Sequence, residues 1–194
     1  FTVIDEAGGS GVDRESVVVK LDGSTVSAGE VTHSAVTNGY SFTYTPASPM
    51  GDGSHKVTVD ASDNDGNAAE QKSTTFTVDT VAPSLNVTSP TDGLITNDAS
   101  LTVTGTTNDA TSSPVTVTIQ LNSQDQGAVT VESNGSFSKA LTLANGANVI
   151  VVTSTDQAGK STSVTINVTL DTSVPQIVSA TITPNPVDAG ETMV

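Results

Sequence analysis

Residues 61–70 read ASDNDGNAAE, with Asp63, Asn64, Asp65 and Asn67 crowded around Gly66. Oxygen-bearing side chains on alternate residues, with a glycine at the bend, are what a calcium loop presents: a hard cation takes oxygen ligands, and the chain must turn sharply around it. The bidentate glutamate that closes an EF-hand is missing at the expected spacing. The same residue types also build plain solvated turns, because Asp, Asn and Gly supply turn geometry by themselves. The stretch is therefore open to two readings, a metal loop or a turn between strands.

Other chemistry finds little footing. His33 and His55 are the only histidines and stand in different contexts; GxSxG, HExxH and a thiol nucleophile are all missing. A carboxylate pair of the glycosidase kind needs a sugar subsite, and the acids here fall mainly in turns and on outward strand positions. No enzyme is expected. A self-made isopeptide crosslink needs a buried lysine beside Asn or Asp. Lys20 and Lys56 fall on outward positions, and only Lys139 shares parity with Phe137 and Leu141. The sequons at Asn86, Asn134 and Asn167 are expected by chance in a Thr-rich chain.

Composition narrows the partners. Among 194 residues, 21 acids face 6 bases, for a net charge of −15. Nucleic acid and anionic membrane surfaces are poor partners for such a chain, since phosphate contacts need Lys and Arg. No apolar run approaches the ~20 residues of a membrane helix, so no membrane insertion is expected in this segment. Without cysteine there is no disulfide scaffold and no thiolate metal site. Aromatic residues are 3% and Trp is absent, so a core must come from Val, Leu, Ile, Ala and four Phe. Small sandwiches suit that supply better than one large globule.

The elements that would position these groups repeat. VTVDASDNDGNAAE from Val57 matches IVVTSTDQAGKSTS from Ile150, placing Asp63 on Asp156 and Gly66 on Gly159. VDTVAPSL matches LDTSVPQI, with Asp79 on Asp171 and Pro83 on Pro175. The segment from Phe1 matches the one from Leu101, and NGYSF at Asn38 matches NGSF at Asn134. SLNVTSP from Ser84 leads the second unit but has no counterpart in the first. The expected units are 1–80, lacking a first strand, 81–172, complete, and 173–194, opening a third; the chain reads as a window on a longer tandem array.

Alternation predicts strands throughout and no helix. Val17, Val19 and Leu21 share one face, and Val57, Val59 and Ala61 another. Tyr40, Phe42 and Tyr44 form one core-facing stripe. Asn-Gly at Asn38, Asn134 and Asn145, with Asp-Gly at Asp22 and Asp52, marks hairpin turns. The pattern predicts antiparallel β-sandwiches. The joint Asp-Thr-x-x-Pro is short and stiffer than a Gly/Ser linker, which predicts an end-to-end rod.

SGVD, VVVKLDG, GDGSHKVTVDASDNDGN and FTVDTVAP in the first unit resemble tandem bacterial immunoglobulin-like domains. So do SPTDGLITN, VTGTT, NGSFSKALTL, GANVIVVTSTDQAGK and LDTSVP in the second, which is similar to domain-B modules of glucodextranase-like enzymes. The resemblance implies an all-β chain of tandem immunoglobulin-like sandwiches. It also implies that DNDGN joins the last two strands of its unit and that DEAGGSGVD, from Asp5, joins the second and third. Both loops then lie at one end, where Asp5, Glu6, Asp13, Asp63 and Asp65 would converge as a candidate calcium site. The matching loop DQAGK keeps Asp156 but puts Ala158 where Asp65 stands. A joint site from Asp79, Asp109 and Asp156 is the further candidate. Three functions follow from the resemblance: a spacer or stalk of a bacterial surface or secreted protein, an adhesive module for a glycan or host protein with calcium as the candidate cofactor, or an accessory domain of a secreted polysaccharide-degrading enzyme. Neighbouring repeats of the same chain are the expected partners, and the location expected is extracellular or cell-surface.

Overall fold

The computed structural model describes residues 1–180 and Gly190. In the first unit, β1 (Thr2–Ile4), β2 (Val12–Leu21), β3 (Ser24–Thr25), β4 (Val31–Val36), β5 (Gly39–Tyr44), β6 (Gly53–Asp63) and β7 (Lys72–Val78) form two sheets, ordered β1-β5-β4 and β3-β2-β6-β7. In the second, β8 (Ser84–Ser89), β9 (Leu94–Thr96), β10 (Ser100–Asn108), β11 (Thr116–Leu121), β12 (Gln124–Asp125), β13 (Ser136–Thr142), β14 (Gly146–Thr155) and β15 (Ser161–Leu170) form sheets ordered β13-β10-β8 and β12-β11-β14-β15-β9. The chain is all-β. The strand expected to open a third unit falls mostly on residues 181–194, outside the described residues apart from Gly190.

Three details depart from the alternation. A single 3-10 turn, Ala28–Glu30, precedes β4; the Glu30 carboxylate accepts hydrogen bonds from the Ser27 and Ala47 amides at 2.9 and 2.8 Å. Pairing of β2 with β6 jumps from Asp13↔Ser62 to Val18↔Asp60, so Arg14, Glu15 and Ser16 bulge out. That bulge lets both Val12 and Val19 point inward although their spacing breaks the period of two. Finally, the antiparallel expectation fails at one pair. β9 runs parallel to β15, because the leading segment crosses from one sheet (β8) to the other (β9) while keeping its direction.

The second unit holds the larger core. Val103, Ile119, Phe137, Leu141, Ile150, Val152, Ile166 and Val168 are buried in one cluster, supplied by alternate residues of β10, β11, β13, β14 and β15. In the first unit the buried apolar residues are Val12, Val19 and Phe42. Phe42 stacks on Phe1 with ring centroids 5.1 Å apart. Tyr40 and Tyr44 flank Phe42 and are half-buried, as expected of a core-facing stripe. No strand among the described residues takes the place of β8 and β9 in the first unit. An open cleft of about 510 Å³ lies there instead, lined by Phe1, Phe42, Tyr44, Val57 and Val59 among others.

One ion pair gives the first unit a pH response. The Asp22–Gly23 turn faces β6, where His55 Nδ1 meets Asp22 Oδ2 and His55 Nε2 meets the Gly51 carbonyl, both at 2.8 Å. Two acceptors on one ring favour the imidazolium, so the Gly51 carbonyl first and Asp22 second raise the His55 pKa. The Lys56 amide and then His55 lower that of Asp22. The folded state thus holds the histidine proton more tightly than the unfolded chain does. Its contribution is full below the ordinary histidine value and fades as pH rises through the raised one. The carboxylate contribution is present above the ordinary aspartate value and is lost in acid. We expect the first-unit melting temperature to fall between about pH 6 and pH 8. His55→Gln should flatten that slope, and an unchanged slope in the variant would show that the pair does not set it.

Candidate metal centre

The joint is tied at both ends. Thr80, in the link after β7, donates through its amide and hydroxyl to Asp52 of the first unit at 2.9 Å. Pro83 is fully buried, and its carbonyl accepts from the Thr162 hydroxyl of the second unit at 2.6 Å. Proline at this position gives up no amide, so nothing is lost by burying it. Between these anchors stands Asp79. Its Oδ1 accepts from the Val81 amide at 3.1 Å in a tight turn, while its Oδ2 is buried with no hydrogen-bond partner.

Two loops of the second unit complete the site. Asp109 follows β10, and its Oδ1 accepts from the Thr111 and Ser112 amides at 2.8 and 2.7 Å. Asp156 follows β14, and its Oδ1 accepts from the Lys160 amide at 2.9 Å, while its Oδ2 is buried without a partner. Ser112 locks the loops together: its carbonyl takes the Gln157 amide and its hydroxyl the Ala158 amide. Asp109 and Asp156 are only 7% and 6% exposed. Asp79 is half-buried as a residue, yet its Oδ2 is enclosed; for ligation the atom is what counts. Each of the three offers a carboxylate oxygen, and those oxygens lie within 4.8 Å of one another. No lysine, arginine or histidine among the described residues forms an ion pair with any of them.

The first unit treats its acids differently. Asp5, Glu6 and Asp63 line one hollow at its pole. The Asp5 oxygens take the Glu6 and Gly11 amides at 2.9 and 2.8 Å. Asp63 Oδ1 takes the Asp65 and Asn67 amides, and its Oδ2 takes the Asn67 side-chain amide at 2.7 Å. The pKa of both carboxyls is lowered, that of Asp5 by the neighbouring Glu6 side chain and then by the Gly11 and Glu6 amides, that of Asp63 by the Asn67 side chain and then its amide. Asp13 Oδ1 takes the Glu15 amide at 3.1 Å, and Asp65 is exposed. The structure therefore brings Asp5, Glu6 and Asp63 together, leaves Asp13 and Asp65 outside their hollow, and spends the oxygens of Asp5 and Asp63 on turn geometry. The signal that separates the two poles is a single residue. The position matching Asn67 is Lys160, which offers Asp156 a backbone amide but no side-chain amide.

The remaining sequence candidates have ordinary surroundings. Lys139 is half-buried and donates to the Ala128 carbonyl at 3.1 Å. His33 meets Arg14 at 3.1 Å on an exposed strand. No helix among the described residues is long and apolar enough to cross a membrane.

Two family models match this chain in succession. Residues 6–80 match the bacterial Ig-like domain, and residues 83–172 match glucodextranase, domain B. The chain is a tandem of bacterial immunoglobulin-like domains, the second of the glucodextranase domain-B kind. It is 34% identical over 110 residues to bacillopeptidase F of Bacillus subtilis (strain 168), an alignment that covers 57% of this chain and 7% of that protein. Among solved structures, the fibronectin(III)-like modules of CbhA from Clostridium thermocellum align at a TM-score of 0.46 and 15% identity, covering 91% of this chain and 88% of theirs. A membrane-anchored protein of Corynebacterium diphtheriae aligns at 0.37 and 17%, covering 80% and 43%.

Proposed function

We propose that this chain is a non-catalytic spacer: consecutive immunoglobulin-like units that hold other parts of a longer, extracellular bacterial protein at a set distance. The observation that carries this reading is the joint. A link of five residues, Asp79 to Pro83, is hydrogen-bonded to the first unit through Thr80 and to the second through Pro83. Short connections anchored on both sides transmit orientation, which a flexible linker does not. The matches to domain B of glucodextranase and to bacillopeptidase F support a place beside a secreted catalytic domain as the parent context. The adhesive reading has less behind it. Phe42 is buried and Tyr40 and Tyr44 are half-buried, so the aromatic stripe turns mainly toward the core and its cleft and presents little flat surface to a sugar.

The test is a distance distribution between spin labels placed on Ser34 and Ser138, one per unit. A spacer gives one narrow distribution, and inserting two glycines after Val81 broadens it while each unit melts as before. A distribution already broad in the parent chain would overturn the reading, as would saturable binding on a glycan array.

A further inference from the structure

We propose that Asp79, Asp109 and Asp156 bind a calcium ion at the joint, so that the cation pins the link to the second unit. The site stands on its own geometry and does not depend on the spacer reading. Three carboxylates from three separate segments meet within 4.8 Å. Two oxygens on opposite sides of a calcium ion are about 4.8 Å apart, given bonds of about 2.4 Å. All three offer hard oxygen donors, with no nitrogen or sulfur to favour a softer metal. A cluster of acids alone would mean little. Here two of the oxygens, Asp79 Oδ2 and Asp156 Oδ2, are buried without any donor, and Asp156 is 6% exposed. Buried charges are ordinarily paired or coordinate metals, and no basic side chain pairs with these.

The first unit supplies the internal control. There Asn67 closes Asp63 Oδ2 with a side-chain amide, and the loop satisfies itself. In the second unit Lys160 stands at that position, and its amide reaches Oδ1 only. The bare oxygen is thus a feature of this loop and not of the fold. Asp79 comes from the link, so an ion held by all three couples the link to both polar loops of the second unit. Three carboxylates supply at least three of the six to eight oxygens calcium takes, and water completes the shell.

The experiment is calorimetric titration of the EDTA-treated 194-residue chain with calcium chloride, beside melts in EDTA, in 5 mM calcium and in 5 mM magnesium (about 5 mM each, in large excess over the protein). One ion per chain is expected, with Kd on the order of 10⁻⁵–10⁻⁴ M and a second-unit melting temperature raised by roughly 5–15 °C. Asp79→Asn lies in the link and should weaken binding at least ~10-fold without lowering the melt in EDTA, because it neutralises one of three crowded carboxylates. Lys160→Asn should hand Asp156 the amide that Asn67 gives Asp63, and so raise the melt in EDTA and blunt the calcium response. Asp63→Asn should leave the titration unchanged. Coincident melts in EDTA and calcium would overturn the proposal. So would an equal response to magnesium, or an Asp79→Asn titration identical to the parent.

Discussion

Ile150→Ala is expected to cost the second unit about 3 kcal/mol, within the ~2–5 kcal/mol found for emptying a packed aliphatic site. Ile150 is fully buried on β14, between Leu121 on β11 and Ile166 on β15. Its neighbours are held by two sheets and have little room to collapse into the space. The loss should appear in one transition only. The first unit buries Val12, Val19 and Phe42, against thirteen buried apolar residues in the second, so the parent chain should melt in two steps with the first unit leading. A calorimetric scan of Ile150→Ala should show the upper step lowered by on the order of 10–20 °C for a domain of this size, and the lower step unmoved. A uniform shift of the whole profile would mean that the two cores unfold as one.

Asn148→Asp should rival that effect without removing any volume. Asn148 is 1% exposed, two residues from Ile150 on the same face of β14. Its Oδ1 accepts from the Ala144 amide and the Asn122 side chain, both at 3.0 Å, and its Nδ2 donates to the Ala144 and Gly146 carbonyls at 2.7 and 3.0 Å. All four hydrogen-bonding sites of the amide are filled. An aspartate keeps the shape, but the two carbonyls lose their donor and face a second acceptor. Each unmet buried group costs about 1–3 kcal/mol, and the carboxylate adds its own desolvation. We expect a loss of roughly 3 kcal/mol or more at neutral pH, partly recovered in acid, where a protonated carboxyl donates again. Denaturant melts at about pH 4 and pH 7 check this; equal losses at both would show that charge is not the cause.

Parity in the sequence already showed much of the fold. Val117, Ile119 and Leu121 alternate, as do Ile150 and Val152, and these residues form the core. The same parity points Asn148 and Ser154 inward, but parity says nothing of what satisfies them. The Ala144–Gly146 turn and the Thr107 hydroxyl do so, and they lie across turns and sheets. The bulge at Arg14–Ser16 was hidden because VVVKL alternates well by itself, and only the mismatch with Val12 hints at it. At the poles the sequence favoured the richer loop, DNDGN, because it carries two acids where DQAGK carries one. The structure shows that the Asp63 carboxylate is occupied and that the poorer loop, DQAGK, leaves an oxygen bare. The decisive residue was an amide, Asn67, and its role as a cap for Asp63 depends on a hydrogen bond that spacing does not reveal.

The parallel pairing of β9 with β15 has a mechanical meaning. The chain enters the second unit through β8, continues in the same direction into β9 and leaves through β15, and β9 and β15 run side by side in parallel. Tension between the ends therefore drags them past each other along their length. The paired residues Val168↔Leu94, Thr169↔Ile95 and Leu170↔Thr96, with the Gly93–Asn167 and Asp171–Thr96 backbone bonds at 2.8 Å, must then all give way together. A hairpin pulled from its open end yields one rung at a time, at far lower load. The described residues of the first unit contain no such pair. Stretched along its axis, the chain would give first at the first unit, and the second would bear load after its neighbour had extended.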